Sequence, residues 1–170
     1  MRTRTRIAVI GVGNEFRRDD GVGRAVVERL RQRAEVRPLP PGTVLVTCDG
    51  DPGRLIALWE GADLVVIVDA AYARPGRPGR VHRLELDAER LEQPSASGAS
   101  THGLGLGEAV ELARVLGRLP ARLVVLAVEG ADGSLGVGLS PVVEAAVEPL
   151  AVSVGDEIVR YRGTAAGWRP

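Results

Sequence analysis

The chain contains no lysine and very few aromatic residues. Its 22 cationic side chains are all arginine and balance 22 Asp and Glu, which gives a formal net charge of zero. Aromatic residues make up 3% of the chain. Nucleic-acid binding usually depends on an excess of basic charge and on rings that stack on bases. The composition therefore indicates that nucleic acid is not a partner.

Cysteine and long apolar runs are also scarce. The single cysteine, Cys48, excludes an internal disulfide and a cysteine-rich metal cluster, which is typical of a reducing compartment and predicts a cytoplasmic protein. The apolar run over 7–13 is broken at Asn14 and Glu15, so it is too short for a secretory signal peptide. No segment approaches the roughly 20 uncharged apolar residues of a membrane helix.

The length predicts a single domain. A chain of 170 residues with 45% hydrophobic residues fits one globular domain over 1–170, and we expect a monomer. A domain of this size buries roughly 70% of the surface of its unfolded chain, so a metal ion would serve function rather than stability. The Gly- and Arg-rich end over 161–170 is predicted to be a weakly ordered tail.

Hydrophobic patterning predicts an α/β fold. Short Val, Ile and Leu runs with little alternation predict buried parallel strands at 6–10, 43–47, 64–68 and 121–128. Amphipathic helices are predicted at 21–33, 53–59 and 104–116, and after Ser140 towards Tyr161. The alternating segment 80–86 follows a connection too short for a crossover helix and is expected to be antiparallel. The predicted fold is a three-layer α/β/α sandwich with a five-stranded, mostly parallel twisted sheet and one antiparallel strand.

Acidic residues and one histidine fall where such a sheet binds ligands, at the carboxyl ends of its strands. Asp19 and Asp20 follow the first predicted strand, and Asp69 ends the third. His102 comes just before the helix over 104–116, after a segment long enough to recross the sheet. Asp20, Asp69 and His102 can therefore meet, and two carboxylates with one imidazole suit a divalent first-row metal.

Each of these residues also has a simpler interpretation. Asp19 or Asp20 could cap the first helix and complement its dipole. Asp69 could be an ordinary turn residue at the end of a strand, and His102 could be a helix cap or a surface residue. Two aspartates in succession leave one spare, so the capping interpretation does not account for both.

Other polar residues are assigned more modest roles. Cys48 is predicted to be a small buried residue rather than a nucleophile, and His82 is assigned to structure or solvent. The segment 49–52 could be a turn and helix cap or a loop that faces the substrate, with the former slightly favoured. A dinucleotide site is not predicted, because the third glycine of the fingerprint would fall at Phe16.

Four stretches of the chain together resemble the hydrogenase maturation proteases, endopeptidases that trim the C-terminal extension from the large subunit of nickel-iron hydrogenases. They are Ile10-Gly-Val-Gly-Asn14 with Arg18-Asp-Asp-Gly-Val-Gly23, Val66-Ile-Val-Asp-Ala70, Ser100-Thr-His-Gly-Leu-Gly105, and Gly138-Leu-Ser-Pro-Val-Val-Glu144 with Glu148. Each stretch alone is weakly specific, but their combination and order are specific.

The resemblance implies the function of the predicted site. Asp20, Asp69 and His102 match the nickel-sensing residues of that family and are assigned to both metal contact and catalysis. The partner would be a hydrogenase large-subunit precursor, and we expect nickel to arrive bound in that precursor and to be held weakly or not at all by the free enzyme. The chain departs from the family at Asp20, where several members have Glu, and at Asp49-Gly-Asp-Pro52, where a loop often reads Asp-Gly-Gly-Thr.

Two alternatives remain open at this point. The same three ligands would also suit a non-catalytic nickel-binding chaperone or sensor in hydrogenase maturation, and a generic metal-dependent hydrolase of small molecules would need a deep pocket. The residues likewise leave open whether nickel or an aspartate activates water for hydrolysis.

Overall fold

Strands and helices alternate along the chain, and the computed structural model describes residues 5–87 and 106–167, without the side chains of 87 and 165–167. The strands are β1 (Ile7–Val12), β2 (Thr43–Cys48), β3 (Leu64–Ala71), β4 (Val81–Asp87) and β5 (Arg122–Glu129). The helices are α1 (Val22–Val36), α2 (Pro52–Trp59), α3 (Gly107–Val115) and α4 (Pro141–Gly167). A short 3-10 turn, Arg18–Gly21, leads directly into α1.

The strands form one sheet in the order β2-β1-β3-β5-β4. The first four strands in this order are parallel, and β4 pairs antiparallel with β5 at the sheet edge. The predicted fold, with five strands and one antiparallel strand, is confirmed. The carboxyl ends of β1, β2, β3 and β5 consequently lie along a single edge of the sheet, together with the start of β4.

Side chains of the central strands alternate between two apolar cores. Ile7 and Val9 of β1 pack with α1 and α4 on one face, whereas Ala8 and Ile10 pack with α2 and α3 on the other. The fully buried Trp59 fills the second core, and its ring nitrogen donates to the carbonyl of Arg118 (3.1 Å). Helices on both faces explain why the strand sequences show so little alternation of polarity.

Strand β3 is longer than its sequence pattern predicts. Asp69 was expected just after the strand, but the ladder continues to Ala71 because β5 extends to Glu129 and supplies the partners. Asp69 pairs with Ala127 and follows Val65 and Ile67 in the row that faces α2 and α3. A carboxyl group therefore occupies a position that the strand pattern would give to an apolar residue.

Helix α4 continues to Gly167, into the segment 161–170 that the sequence predicts to be a tail. Residues 162–167 include no proline that would end the helix, and the Thr164 hydroxyl donates to the Tyr161 carbonyl (2.8 Å). The Arg162 guanidinium also donates to the carbonyl of Pro41 (3.1 Å), before β2. No helix in the described part of the chain is long and apolar enough to cross a membrane.

Helix α1 packs unusually close to the sheet because of two glycines. A Cβ on Gly23 would lie 2.4 Å from the carbonyl oxygen of Val68 and 2.7 Å from the amide nitrogen of Val12. A Cβ on Gly11 would lie 2.3 Å from the carbonyl oxygen of Gly23. This contact places the start of α1, and the 3-10 turn before it, directly over the ends of β1 and β3.

We expect Gly23→Ala to lower the free energy of unfolding by about 2–4 kcal/mol, because backbone must shift to admit the methyl group. Gly155, within α4, has open space around it. We expect Gly155→Ala to raise stability by about 0.5–1 kcal/mol, since alanine is the better helix former. Urea unfolding of both variants measures the difference, and equal effects would contradict the close-packing argument.

Candidate functional site

Asp20 and Asp69 lie near one another at the carboxyl edge of the sheet. Asp20 belongs to the 3-10 turn that follows β1, and Asp69 lies near the end of the neighbouring strand β3. The negative charge of Asp20 is close enough to raise the pKa of Asp69. The structure thus brings together two of the three residues singled out in the sequence.

Asp69 is the buried member of this carboxyl pair, with 5% of its surface exposed. Its Oδ1 accepts a hydrogen bond from the Ala70 amide (2.8 Å), which favours the charged form. Burial opposes this more strongly, and the charge on Asp20 adds to that effect, so the pKa of Asp69 is raised to about 8. At neutral pH, and without a cation nearby, Asp69 is therefore mostly protonated.

Asp20 is half-buried and is held by the turn that follows β1. Its Oδ2 accepts from the Asn14 amide (2.8 Å), and the Asn14 Oδ1 accepts from the Phe16 amide (2.9 Å). Gly13 has a φ of 132°, and a Cβ there would lie 2.0 Å from the carbonyl oxygen of Asp20. Only glycine fits this position, because the turn wraps closely around Asp20.

Asp19 has a different role from its neighbour. It is fully buried, and its carboxylate accepts from the amides of Ala131 (2.8 Å), Asp132 (2.9 Å) and Ser140 (2.7 Å) and from the Ser140 hydroxyl (2.9 Å). Burial alone would raise its pKa, but these hydrogen bonds lower it below the ordinary value. Asp19 thus fastens the 3-10 turn to the segment between β5 and α4.

The simpler interpretation of Asp19 and Asp20 as helix caps does not hold. Helix α1 starts from Gly21 without a hydrogen bond from a capping side chain. Asp19 binds the loop after β5, and Asp20 binds the turn after β1. Asp19 therefore makes tertiary contacts that the sequence spacing does not reveal, whereas Asp20 makes a local contact within its own turn.

Tyr72 is a site residue that the sequence reasoning missed. Its ring packs on the loop after β5, where a Cβ on Gly130 would lie 2.7 Å from the ring and a Cβ on Gly133 would lie 2.9 Å from its hydroxyl oxygen. Burial and then the negative charge of Asp20 raise the pKa of Tyr72 to about 12. Tyr72 therefore keeps its proton beside the carboxyl pair. The feature of the sequence that could have indicated Tyr72 is its position three residues after Asp69.

His102 falls between the two described parts of the chain, so its placement is not described. Helix α3 begins at Gly107, five residues further along, and packs on the face towards which the row of Asp69 points. Within residues 5–87 and 106–167, no group of three or more His, Cys, Asp and Glu could hold a metal ion. A metal site built on Asp20 and Asp69 would therefore need a further ligand.

The other polar residues singled out in the sequence have structural surroundings of their own. His82 Nε2 pairs with Glu129 Oε1 (2.7 Å), and the buried Glu129 also accepts from the Arg77 amide, which holds the loop before β4. Cys48 is buried, and burial raises the pKa of its thiol. Asp51 caps α2 by accepting from the Arg54 amide (2.8 Å), so the segment 49–52 forms a turn and helix cap.

The fold and the carboxyl pair define an α/β protein with an acidic site at the carboxyl edge of its sheet. The hydrogenase maturation protease family model matches residues 25–157, which include Asp69 and His102 and begin just after Asp20. The chain belongs to the hydrogenase maturation protease family and is therefore a hydrolase. The resemblance seen in the sequence is confirmed.

Individual relatives and solved structures agree with this assignment. The hydrogenase 2 maturation protease of Escherichia coli is 31% identical over 145 residues, covering 85% of each chain. A hydrogenase expression/formation protein, HupD of Bradyrhizobium diazoefficiens, is 33% identical over 85% of this chain and 73% of its own. The maturating endopeptidase HybD of E. coli superposes with a TM-score of 0.67 at 29% identity, covering 88% of this chain and 90% of its own.

We expect Asp19→Asn to lower the free energy of unfolding by about 2–4 kcal/mol. The amide offers one acceptor oxygen where the carboxylate offers two, so buried N–H donors lose their partners. Asp132→Asn is the matched control, because Asp132 is about half exposed and forms an exposed ion pair with Arg18; its cost should stay below about 1 kcal/mol. Chemical unfolding compares the two, and a cost for Asp19→Asn no larger than the control's would contradict the fastening role.

Asp69 should also make stability depend on pH. Its folded-state pKa of about 8 lies above the ordinary aspartate value of 3.8, so between these values the folded protein holds a proton that the unfolded chain has lost. Stability contributed by this group is therefore present at low pH and lost as the pH rises through 8. We expect Asp69→Asn to raise the unfolding temperature more at pH 8 than at pH 5, measured with chelator present. The control is Asp156→Asn, at an exposed position, whose unfolding temperature should depend on pH as that of the wild type does. The same pH dependence in Asp69→Asn would contradict the raised pKa of Asp69.

Proposed function

We propose that this chain is an endopeptidase that removes the C-terminal extension of a nickel-iron hydrogenase large-subunit precursor after nickel insertion. The observation that carries the proposal is the meeting of Asp20 and Asp69 at the carboxyl edge of the sheet, in a member of the hydrogenase maturation protease family. Hydrogenase 2 maturation protease of E. coli is one of the relatives that support it.

The carboxyl pair, with His102, is proposed to contact the nickel that the precursor carries. Two neighbouring carboxylates, one of them buried, repel each other when both are charged, and a cation between them offsets this repulsion. The imidazole adds the nitrogen donor that nickel favours over oxygen alone. Three protein ligands leave coordination positions for groups of the precursor.

Nickel is proposed to arrive with the precursor rather than to reside in the protease. The two aspartates supply hard oxygen ligands, and a metal ion must displace the proton that Asp69 carries at neutral pH. The free protease would accordingly bind nickel weakly, and joint coordination would license cleavage only after nickel insertion. For hydrolysis itself, nickel as a Lewis acid and an aspartate as a general base both fit the carboxyl pair.

Replacing a proposed ligand should abolish cleavage without unfolding the protein. We expect Asp20→Asn, Asp69→Asn and His102→Ala each to reduce the rate by about 100-fold or more. The control is His82→Gln, which changes the second histidine but keeps a donor towards Glu129. The measurement is the product mass after incubation with nickel-loaded precursor. Normal processing by a ligand variant would refute its role.

The same assay separates the alternative function. A non-catalytic nickel-binding chaperone or sensor would bind the precursor through the same residues but leave its mass unchanged. Wild-type protein that binds nickel-loaded precursor, and fails to shorten it under any condition, would support that alternative and overturn the protease proposal for this chain.

The location of nickel can be tested by removing it from each partner separately. We expect chelator-treated protease to cut nickel-loaded precursor at the normal rate, and untreated protease to leave nickel-free precursor uncut. Mass spectrometry of the precursor measures both reactions. If the stripped protease fails on loaded precursor while the untreated protease cuts nickel-free precursor, the metal belongs to the enzyme.

A further inference from the structure

Three large apolar side chains are exposed beside the carboxyl pair. Phe16, Leu135 and Val137 expose 60%, 74% and 73% of their surface, and together they are named the apolar patch. Phe16 lies in the turn after β1, and the other two lie in the loop between β5 and α4. The Gly136 amide donates to the Phe16 carbonyl, so these segments lie side by side, and exposed apolar side chains that are grouped rather than scattered mark sites of interaction on soluble proteins.

The backbone beneath the apolar patch is tied in place. The Gly136 amide donates to the Phe16 carbonyl (2.8 Å), and the Arg18 amide donates to the Gly136 carbonyl (3.0 Å). Arg18 adopts a φ of 43°, which is uncommon for a residue with a side chain, and its guanidinium covers Gly136. The Asp19 carboxylate also joins these two segments, because it accepts hydrogen bonds from the Ala131 and Ser140 amides. The exposed side chains are thus carried on a preorganised surface, which lowers the entropy cost of binding.

The apolar patch is continuous with the proposed active site. The Asn14 amide donates to the Asp20 carboxylate, and the Asn14 side chain accepts from the Phe16 amide. Phe16 therefore starts within about 10 Å of that carboxylate, the span of about three extended residues. A polypeptide whose scissile bond lies at Asp20 and Asp69 reaches the apolar patch within about four residues.

We infer that the apolar patch binds apolar side chains of the precursor within about four residues of the scissile bond. The inference rests on the proposed function and adds a recognition element to it: the carboxyl pair contacts the metal, and the apolar patch binds the adjoining polypeptide. Since the contact is made equally before and during the reaction, its loss should weaken substrate binding rather than slow the chemical step.

The test compares two double variants with matched exposure. Leu135→Ser/Val137→Ser removes the patch side chains, whereas Val36→Ser/Val115→Ser removes valines with 90% and 73% exposure at the ends of α1 and α3. With nickel-loaded large-subunit precursor from the same genome, we expect the KM of the patch variant to rise about tenfold or more. Its kcat should change less than about twofold, and the control should match the wild type. Phe16→Ser should act in the same direction.

A binding measurement separates this inference from the proposed function. The Kd for the precursor, measured in an Asp69→Asn background, should rise by the same factor in the patch variant even if no cleavage occurs. Replacing the apolar precursor residues near the scissile bond with serine should also raise the Kd. Combining this precursor with the patch variant should raise the Kd little further. Cleavage that survives changes at Asp20 and Asp69 would refute the proposed site, while the Kd alone would still decide the role of the patch.

Three results would overturn the inference. An unchanged KM and Kd in the patch variant would show that the precursor does not use this surface. A clear fall in unfolding temperature would show that the patch packs against the protein's own chain. A smaller molar mass by light scattering than that of the wild type would show that a second copy of the chain covers it.

Discussion

The buried carboxylate of Asp19 is the interaction on which the acidic edge of the sheet depends. It accepts hydrogen bonds from three backbone amides and one hydroxyl in the segment that joins β5 to α4. These bonds outweigh the cost of burying the charge, and they fix the 3-10 turn that carries Asp20. The uncommon backbone conformation of Arg18, next to it, persists because the bonds on either side leave the turn no alternative.

Neighbouring aspartates acquire opposite properties from their surroundings. Asp19 is buried among donors and its pKa is lowered, whereas Asp69 is buried in an apolar row with one amide donor and a negative neighbour, and its pKa is raised. The Asp19 carboxylate thus stabilises the turn. Asp69, when charged, is repelled by Asp20, and a cation between the two would offset that repulsion. A carboxyl group inside an apolar strand breaks the local pattern, which is typical of a functional position.

Close packing connects the fold to the site. Gly11 and Gly23 let α1 begin directly over β1 and β3, which places the 3-10 turn that carries Asp19 and Asp20 at the carboxyl edge of the sheet. The same turn is bonded to the loop after β5, so exposed Phe16 lies next to the segment that carries exposed Leu135 and Val137. The proposed nickel-contacting pair and the proposed polypeptide-binding surface therefore lie at the same edge of the sheet.

The sequence by itself determined the layers, the five strands and the antiparallel edge, because continuous apolar runs and one short connection leave few other arrangements. It also placed Asp20 and Asp69 at one edge, since carboxyl ends of parallel strands coincide. Only the tertiary structure decided that β3 passes through Asp69, because β5 supplies its partners. Likewise, only the structure separated Asp19 from Asp20 and brought Tyr72 to the site, since the partners of Asp19 and Tyr72 lie about 60 to 120 residues away and no local pattern records contacts at that separation.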